Sequence, residues 1–244
     1  MSREIACQDC PLRSASAFAG PAGDQLRFVA SFRDRQRHYE ARQLVVAEGH
    51  ADAPLMTIFS GWAFRFRTLS DGRRQILNFL MPGDFIGLQQ ELDAALTHGV
   101  EALTPMTACI FDRKRLWELY REHPALAYDL TWLCAHEELI VDENLLSVGQ
   151  RSAQERIAML LIHLYKRGAG LGLCEAGTLT LPLGQQHIAD ALGLSLVHTN
   201  KTLQRLRAAG LVALEGNRLR IGRLDDLQRL ADYYALPVRT RPLI

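Results

Sequence analysis

The sequence lacks the features that would place the chain in a membrane. Although 48% of the residues are hydrophobic, no window reaches the roughly 18 to 20 apolar residues that a bilayer-spanning helix needs. Residues 1–20 also lack the basic-then-apolar pattern of a signal peptide. We therefore expect a cytoplasmic protein that has no membrane partner.

The sequence also lacks the short motifs of common catalytic sites. It contains no Gly-x-x-x-x-Gly-Lys loop to cradle phosphates and no His-x-x-x-His pair to hold a metal on a helix. No segment has the context typical of a Ser-His-Asp triad. We predict that the chain is not an enzyme, and a metabolite-sensing signalling subunit is the competing class.

Cysteine is scarce, which argues against a disulfide-stabilised scaffold. The 5 cysteines are an odd number in a chain of 244 residues, and their spacing matches no small disulfide framework. We expect reduced thiols at Cys7, Cys10, Cys109, Cys134 and Cys174.

Net charge is nearly absent, but its distribution is uneven. The formal net charge is +1, whereas residues 151–224 contain ten Lys and Arg against four Asp and Glu, a net charge of +6. A basic segment of this kind is typical of a surface that binds a polyanion such as nucleic acid. The C-terminal third is therefore the candidate nucleic-acid-binding part.

The middle of the chain has the pattern of a β-rich domain. Short apolar runs alternate with turn residues, and Asp71-Gly72 between two such runs predicts a hairpin. Strands about ten residues apart favour an antiparallel barrel or jelly roll. The predicted strands are 43–47, 55–59, 63–68, 75–79, 85–88 and 107–111.

Helical periodicity brackets this region. We predict helices over 25–38, 114–122, 124–148 and 152–166, the last with a capping box at Ser152 and Glu155, followed by a glycine-rich loop over 168–177. The long helix carries two heptad rows, one of which can pack on the barrel while the other meets the same helix of a second subunit. The alternative is that both rows face the chain's own core. The predicted dimer-interface residues are Leu126, Trp132, Leu133, Leu139 and Ile140.

The segment from residue 185 to 208 has the pattern of a helix-turn-helix. Apolar residues on one face of a short helix precede Gly193, which supplies the positive φ of a sharp turn, and Ser195 is the expected N-cap of a second helix. The first exposed turn of that helix is expected to enter the major groove, where Asn200 can read adenine and Lys201 guanine or a phosphate.

A hairpin after the second helix adds a basic wing. Residues 211–213 and 218–221 are separated by Glu215-Gly216-Asn217, so a winged helix-turn-helix on double-stranded DNA is the prediction. The alternative is an ordinary helical hairpin with solvated charges. The predicted DNA-contacting residues are Gln185, Gln186, Ser195, Val197, His198, Asn200, Lys201, Arg205, Arg218 and Arg220.

With these residues identified, the chain resembles the Crp/Fnr family of bacterial transcription regulators from Cys7 to Tyr234. The resemblance is carried by Gly61, Asp71-Gly72, the segment Phe-Leu-Met-Pro-Gly-Asp-Phe-Ile-Gly at 79–87, and Ile-Ala-Asp-Ala-Leu-Gly-Leu-Ser at 188–195. It implies an α+β fold with an N-terminal β-jelly-roll, cyclic-nucleotide-binding-like sensor domain, a long dimerisation helix and a C-terminal winged helix-turn-helix. It also implies a homodimer on a palindromic operator and contact with RNA polymerase. The corresponding boundaries are an arm at 1–23, the sensor at 24–122, the helix at 123–149, the DNA-binding domain at 150–236 and a tail at 237–244.

Two kinds of effector site known in the family need residues that this chain lacks. Members that bind cyclic AMP carry a Glu and an Arg-Ser pair after the Gly-Asp-Phe-Ile-Gly turn, whereas residues 88–102 contain no Arg or Lys and include Glu91, Asp93 and Glu101. Without an Arg to neutralise the cyclic phosphate, we do not expect cyclic AMP to be the effector.

The second input is an iron-sulfur cluster. Cys7-Gln8-Asp9-Cys10 resembles the start of the oxygen-sensing arm of Fnr, and Cys109 matches its distant ligand, so these three cysteines are the candidate metal ligands. A cubane cluster needs four thiolates, and residues 11–17 contain no cysteine. Cys134 can substitute only if the long helix passes nearby. The alternatives are a buried apolar Cys109 and a metal-free, redox-active or vestigial pair at Cys7 and Cys10.

The recognition helix also departs from the family pattern. Relatives present Glu, then Ser or Gly, then Arg, where this chain has Val197, Asn200 and Lys201. The Glu that accepts from cytosine is lost, and a Lys replaces the bidentate Arg fork. We expect an operator that differs from the usual family half-site.

Overall fold

The computed structural model of the chain describes residues 4–51, 53–88, 96–233 and 240–244. Two compact units comprise Met1–Arg67 with Phe79–Leu139 and Arg239–Ile244, and Thr68–Asn78 with Ile140–Val238. Within the described ranges no helix has the length and apolar character that crossing a bilayer requires. The helices are α1 (Gly23–Phe32), α2 (Leu116–Glu122), α3 (Pro124–Gln150), α4 (Ala153–Gly170), α5 (Gln185–Leu192), α6 (Leu196–Ala208) and α7 (Leu224–Leu230). The strands are β1 (Phe18–Ala19), β2 (Arg33–Tyr39), β3 (Leu44–Val46), β4 (Leu55–Ser60), β5 (Ala63–Thr68), β6 (Arg74–Leu80), β7 (Phe85–Ile86), β8 (Gly99–Ala102), β9 (Met106–Phe111), β10 (Cys174–Glu175), β11 (Thr178–Thr180), β12 (Val212–Glu215), β13 (Arg218–Ile221) and β14 (Arg241–Pro242).

Two four-stranded sheets carry the β-rich domain that the sequence predicts. Their strand orders are β2-β9-β4-β7 and β3-β8-β5-β6. The shared core includes Met56 and Ile58 from the first sheet and Val100 and Ala102 from the second, each fully or almost fully buried. Each of the six predicted apolar runs contains a strand, whereas β8 was not predicted. The β-rich sensor fold is therefore confirmed.

The predicted helix over 25–38 is wrong in its second half. α1 ends at Phe32, and the chain continues directly as β2, which pairs antiparallel with β9. Side chains along β2 are mostly exposed and polar, and only Tyr39 is buried. No apolar alternation therefore marks this strand in the sequence. Its conformation follows from hydrogen bonding to β9.

The long helix α3 buries one of its two predicted heptad rows. Leu126, Leu133 and Ile140 are 0%, 4% and 8% exposed, so they lie in the chain's own core. The dimer interface itself stays a prediction. Leu139 remains 63% exposed, and Trp132 is half-buried beside the core.

α4 confirms the predicted cap but extends beyond its predicted end. The Ser152 N–H donates to Glu155 Oε2 at 2.7 Å, and the Ser152 hydroxyl accepts from the Glu155 N–H, which completes a capping box. The helix then runs through Gly168, so the predicted glycine-rich loop is wrong at its start. A Cβ at Gly168 would lie 2.5 Å from a Leu179 methyl group. Glycine here allows the helix to approach β11 closely.

The second unit contains the predicted wing. β12 and β13 pair antiparallel, with Glu215 opposite Arg218, and belong to a small sheet of order β10-β11-β13-β12. Gly216 has a φ of 58°, the left-handed conformation that the tight connection requires. The hairpin predicted from the sequence is confirmed.

Candidate nucleic-acid interface

The central element of the second unit is the α5–turn–α6 motif. Gly193 ends α5 with a φ of 64° and a ψ of 35°, a conformation in which other residues are strained. The Ser195 hydroxyl accepts a hydrogen bond from the His198 N–H at 3.2 Å and caps α6. Buried Leu203 and Leu206 hold α6 on the unit's core. The predicted turn and cap are therefore where the sequence places them.

The exposed face of α6 forms what we call the reading surface, composed of Val197, His198, Lys201, Gln204 and Arg205. These residues recur at helical spacing, so they lie on one side of the helix. The Val197 side chain is 64% exposed.

The reading surface differs from the predicted set at two positions. Asn200 is half-buried, and its Oδ1 atom is buried without a hydrogen-bond partner. Gln204 is exposed but was not predicted, although it lies three residues after Lys201 and seven after Val197, which is the signal that would have found it.

The remaining predicted DNA-contacting residues lie around the motif. Gln185 and Gln186 are exposed in the first turn of α5, where the Gln186 amide donates to Asp190 at 2.6 Å. Ser195 is exposed but serves as the α6 cap. Arg218 and Arg220 are exposed on the same face of β13, because they are two residues apart on a strand.

Three contacts fix the position of α5. The His187 ring accepts from the Gly184 N–H at 3.0 Å at the start of the helix, and Arg156 donates to the Leu192 carbonyl at 3.1 Å at its end. In the middle, Arg74 donates to Asp190 Oδ2 from both Nε and Nη2, at 3.2 and 3.1 Å. The contact between segment 68–78 and α5 was not predicted, because Arg74 and Asp190 are 116 residues apart.

Replacing Arg74 by alanine is expected to lower the thermal unfolding midpoint by about 2 to 8 °C. The Arg74 and Asp190 side chains are only 26% and 14% exposed. The substitution therefore leaves a largely buried carboxylate without the guanidinium that donates to it. We expect the free energy of unfolding to fall by about 1–2 kcal/mol. For a domain of this size, each kcal/mol lowers the unfolding midpoint by roughly 2–4 °C. Differential scanning fluorimetry measures the shift. Arg73→Ala is the matched control, because Arg73 is 77% exposed; equal midpoints for the two variants would contradict the role of Arg74.

The three predicted metal ligands meet in the first unit. Cys7, Cys10 and Cys109 line one cavity of about 40 Å³. Burial raises the pKa of Cys7 and Cys10, and the charges of neighbouring thiolates raise both values further. Burial therefore disfavours the thiolate form of both side chains.

A four-iron cubane does not fit this donor set. Among the residues that the structure describes, no group of three or more His, Cys, Asp and Glu is arranged to hold a metal ion. Cys134 is exposed on α3 and is not among the residues that line the cavity. No fourth thiolate therefore joins the three.

Comparison with known proteins identifies both parts of the chain. Residues 36–123 match the cyclic nucleotide-binding domain family, and residues 155–232 match the Crp-like helix-turn-helix domain. The chain is 32% identical over 229 residues to the transcriptional activator protein FnrL of Cereibacter sphaeroides, covering 93% of this chain and 90% of FnrL. It is 33% identical over 182 residues to the nitrogen fixation regulation protein FixK of Rhizobium meliloti, covering 74% and 79%. The structure of FixK2 from Bradyrhizobium japonicum aligns with a TM-score of 0.74 at 25% identity, covering 83% of this chain and 98% of FixK2.

These similarities extend over both domains and agree with the fold. A Crp-like helix-turn-helix domain implies DNA binding, and its capped, basic α6 has the exposed face that such binding requires. The relatives are transcription regulators. The chain belongs to the same kind of protein, so it is not an enzyme. The chain belongs to the Crp/Fnr family of transcription regulators.

Proposed function

We propose that the chain is a cytoplasmic homodimer that binds a palindromic operator, with α6 of each subunit in a major groove. The observation that carries this proposal is the reading surface, where Lys201 and Arg205 are exposed on the same side of a helix whose opposite side is buried. Two such helices related by a dyad match two half-sites about one helical turn apart.

An exposed seam on α3 supports the dimer. Its members follow each other at alternating spacings of four and three residues, the pattern of a two-stranded coiled coil. Tyr128, Leu139 and Leu146 are 70%, 63% and 48% exposed, an unusual amount of apolar surface for one helix. We call this set the outer seam: Tyr128, Trp132, Ala135, Leu139, Asp142 and Leu146.

The reading surface supports a division of roles in DNA recognition. The exposed Val197 side chain has the apolar character that contacts a thymine methyl group, and Gln204 has the amide that pairs with adenine. Lys201 reaches guanine or a phosphate as a point charge. Arg205, with Arg218 and Arg220 on the wing, binds phosphates and fixes the register.

The interior of the sensor domain supports an effector other than a cyclic nucleotide. Arg65 is 6% exposed and pairs with Glu137 of α3 at 3.1 Å, so its charge is already neutralised. Burial lowers the pKa of His98 to about 4, with help from Arg65 and Arg67, so its imidazole is neutral at pH 7. Glu101 lies on β8, while Glu91 and Asp93 are outside the described residues. These groups offer no uncompensated cation for a cyclic phosphate.

Contact with RNA polymerase is proposed from the relatives. FnrL is named a transcriptional activator, and FixK a nitrogen fixation regulation protein. A regulator that activates transcription from its operator must engage the transcription machinery, so we propose that RNA polymerase is a partner of this chain.

In vitro selection from a pool of random duplexes tests the proposed function. We expect enrichment of a two-fold symmetric sequence whose half-site centres lie about 34–36 Å apart. Fluorescence anisotropy on the selected duplex should show binding that weakens steeply as salt rises, because bound phosphates release counterions. Recovery of the starting pool, or of one half-site without a symmetric mate, would contradict the dimeric operator.

A further inference from the structure

Residues 240–244 are held in the first unit by backbone pairing. β14 runs parallel to β1, with the Arg241 N–H donating to the Ala17 carbonyl at 2.8 Å and the Leu243 N–H donating to the Ala19 carbonyl at 3.3 Å. The buried Thr57 hydroxyl donates to the carbonyl of Ile244. This segment is joined by the intervening chain to α7 of the winged helix-turn-helix domain.

A buried ion pair reinforces the pairing. The Arg241 guanidinium lies 2.6 Å from Asp84, whose side chain is 1% exposed. Asp84 follows Gly83, which has a φ of +85° and at which a Cβ would lie 2.0 Å from the Phe18 ring. Phe18 belongs to β1, so the turn, the arm strand and segment 240–244 form one packed cluster. Removing the Arg241 charge would leave the buried Asp84 carboxylate without its cation, which is strongly unfavourable.

Residues 240–244 also line the cavity that contains the thiols of Cys7, Cys10 and Cys109, which we call the thiol cavity. Leu243 and Ile244 are 6% and 5% exposed and line the cavity with Cys7, Cys10 and Cys109. Each of these thiols is half-buried. Withdrawal of the two apolar side chains would therefore open one wall of the cavity to solvent.

We propose that residues 240–244 form a strap that closes the thiol cavity and controls the reaction of its cysteines with soft electrophiles. In the docked state the strap limits access, and undocking exposes the thiols together with β1 of the arm. Thiol accessibility therefore reports whether the strap is docked. The inference rests on contacts within the first unit and is independent of operator binding.

Alkylation of the full-length reduced protein by iodoacetamide tests the strap. In this reaction the cysteine thiolate displaces iodide, one S–C bond forms, and the thiol proton passes to the buffer. Peptide mass spectrometry gives the rate at each cysteine. For Arg241→Met we expect Cys7, Cys10 and Cys109 to react on the order of tenfold faster than in the parent, because local opening limits access to protected groups. The exposed Cys134 should be unaffected.

Two controls keep the outcome decisive. Arg229→Met removes an arginine that is 78% exposed on α7, and we expect it to leave all the rates unchanged. Thr57→Val removes only the hydrogen bond to Ile244 and is expected to accelerate the same three cysteines if Arg241→Met fails to fold. Unchanged rates at the three thiols in the folded variants would overturn the strap. Equal acceleration of Cys174, which lies in the second unit, would show opening of the whole chain and would overturn it as well.

Discussion

Substituting Lys201 and Arg205 together by alanine is expected to weaken operator binding by roughly 1000-fold or more at about 0.15 M salt, since a dimer loses four contacts at about 1 kcal/mol or more each. Both side chains are exposed on the reading surface, so the substitutions remove charge without opening the core. A dimer loses four cations in all. If each binds a phosphate, the slope of log K against log salt should flatten by about 4. Fluorescence anisotropy over a salt series measures both quantities.

The two single variants distinguish contacts with bases from contacts with phosphates. Lys201→Ala should relax the preference for the base that it contacts, whereas Arg205→Ala should weaken binding to all sequences about equally. A repeated selection with each variant shows the difference. An unaltered selected sequence for Lys201→Ala would assign that lysine to the phosphate backbone.

A double variant elsewhere controls for the change in net charge. Lys114→Ala with Arg121→Ala removes two exposed cations next to and within α2, in the first unit. We expect operator affinity close to that of the parent, and thermal midpoints should agree among all the proteins. Parent-like affinity of the reading-surface variant would refute the assignment of α6 as the DNA-reading helix.

The parts of the fold that local chemistry determines could be predicted from the sequence. Gly193 and Ser195 mark the turn of the helix-turn-helix because one supplies a left-handed conformation and the other a cap. Ser152 and Glu155 form a capping box that marks the start of α4. Each signal lies within a few residues of the structure that it specifies, so no tertiary information is needed.

The parts that depend on distant contacts could not be predicted. β2 has the exposed pattern of a polar helix or loop, and it is a strand because β9 pairs with it. Pairing of β1 with β14 joins residues more than 200 positions apart. The same limit applies to Arg74, whose contact with Asp190 leaves no trace in either local sequence.

The sequence predicts which helix carries the candidate site, whereas the exposure of each side chain depends on its neighbours in the fold. Helical spacing identifies which residues share a face, but the neighbouring helices determine which face is covered. Asn200 lies next to buried Thr199 and is itself half-buried, whereas Gln204 is exposed. The spacing of Cys7 and Cys10 predicts a metal site, and the structure brings both side chains to one cavity with Cys109, a contact that local spacing could not show.

Placing glutamate at Leu139 and Leu146 is expected to raise the dimer dissociation constant by on the order of 1000-fold or more. The two side chains lie on the outer seam, and a dimer buries four of them at about 1.5 kcal/mol or more each. Every 1.4 kcal/mol corresponds to a tenfold change. In the proposed dimer the introduced carboxylates would also face their symmetry mates and Asp142, which adds repulsion. Sedimentation equilibrium measures the dissociation constant.

The substitution Val141→Glu is the matched control for this variant. Val141 is 47% exposed on the same helix but lies off the outer seam, so the added charge should leave the dimer intact. Dissociation caused equally by Val141→Glu and by the seam variant would mean that helix stability, and not the seam, is responsible.

Loss of the dimer should also change how the operator is bound. A monomer presents one reading surface, so it engages one half-site and loses the gain that comes from linking two binding events. We therefore expect the Leu139→Glu, Leu146→Glu variant to bind a full operator and an isolated half-site with the same weak affinity, while the parent prefers the full operator strongly. The reading surface itself is unaltered in the variant, so equal weak binding isolates the contribution of the outer seam. Parent-like discrimination between the two duplexes, with a monomer in sedimentation, would place the two-fold contact elsewhere on the chain.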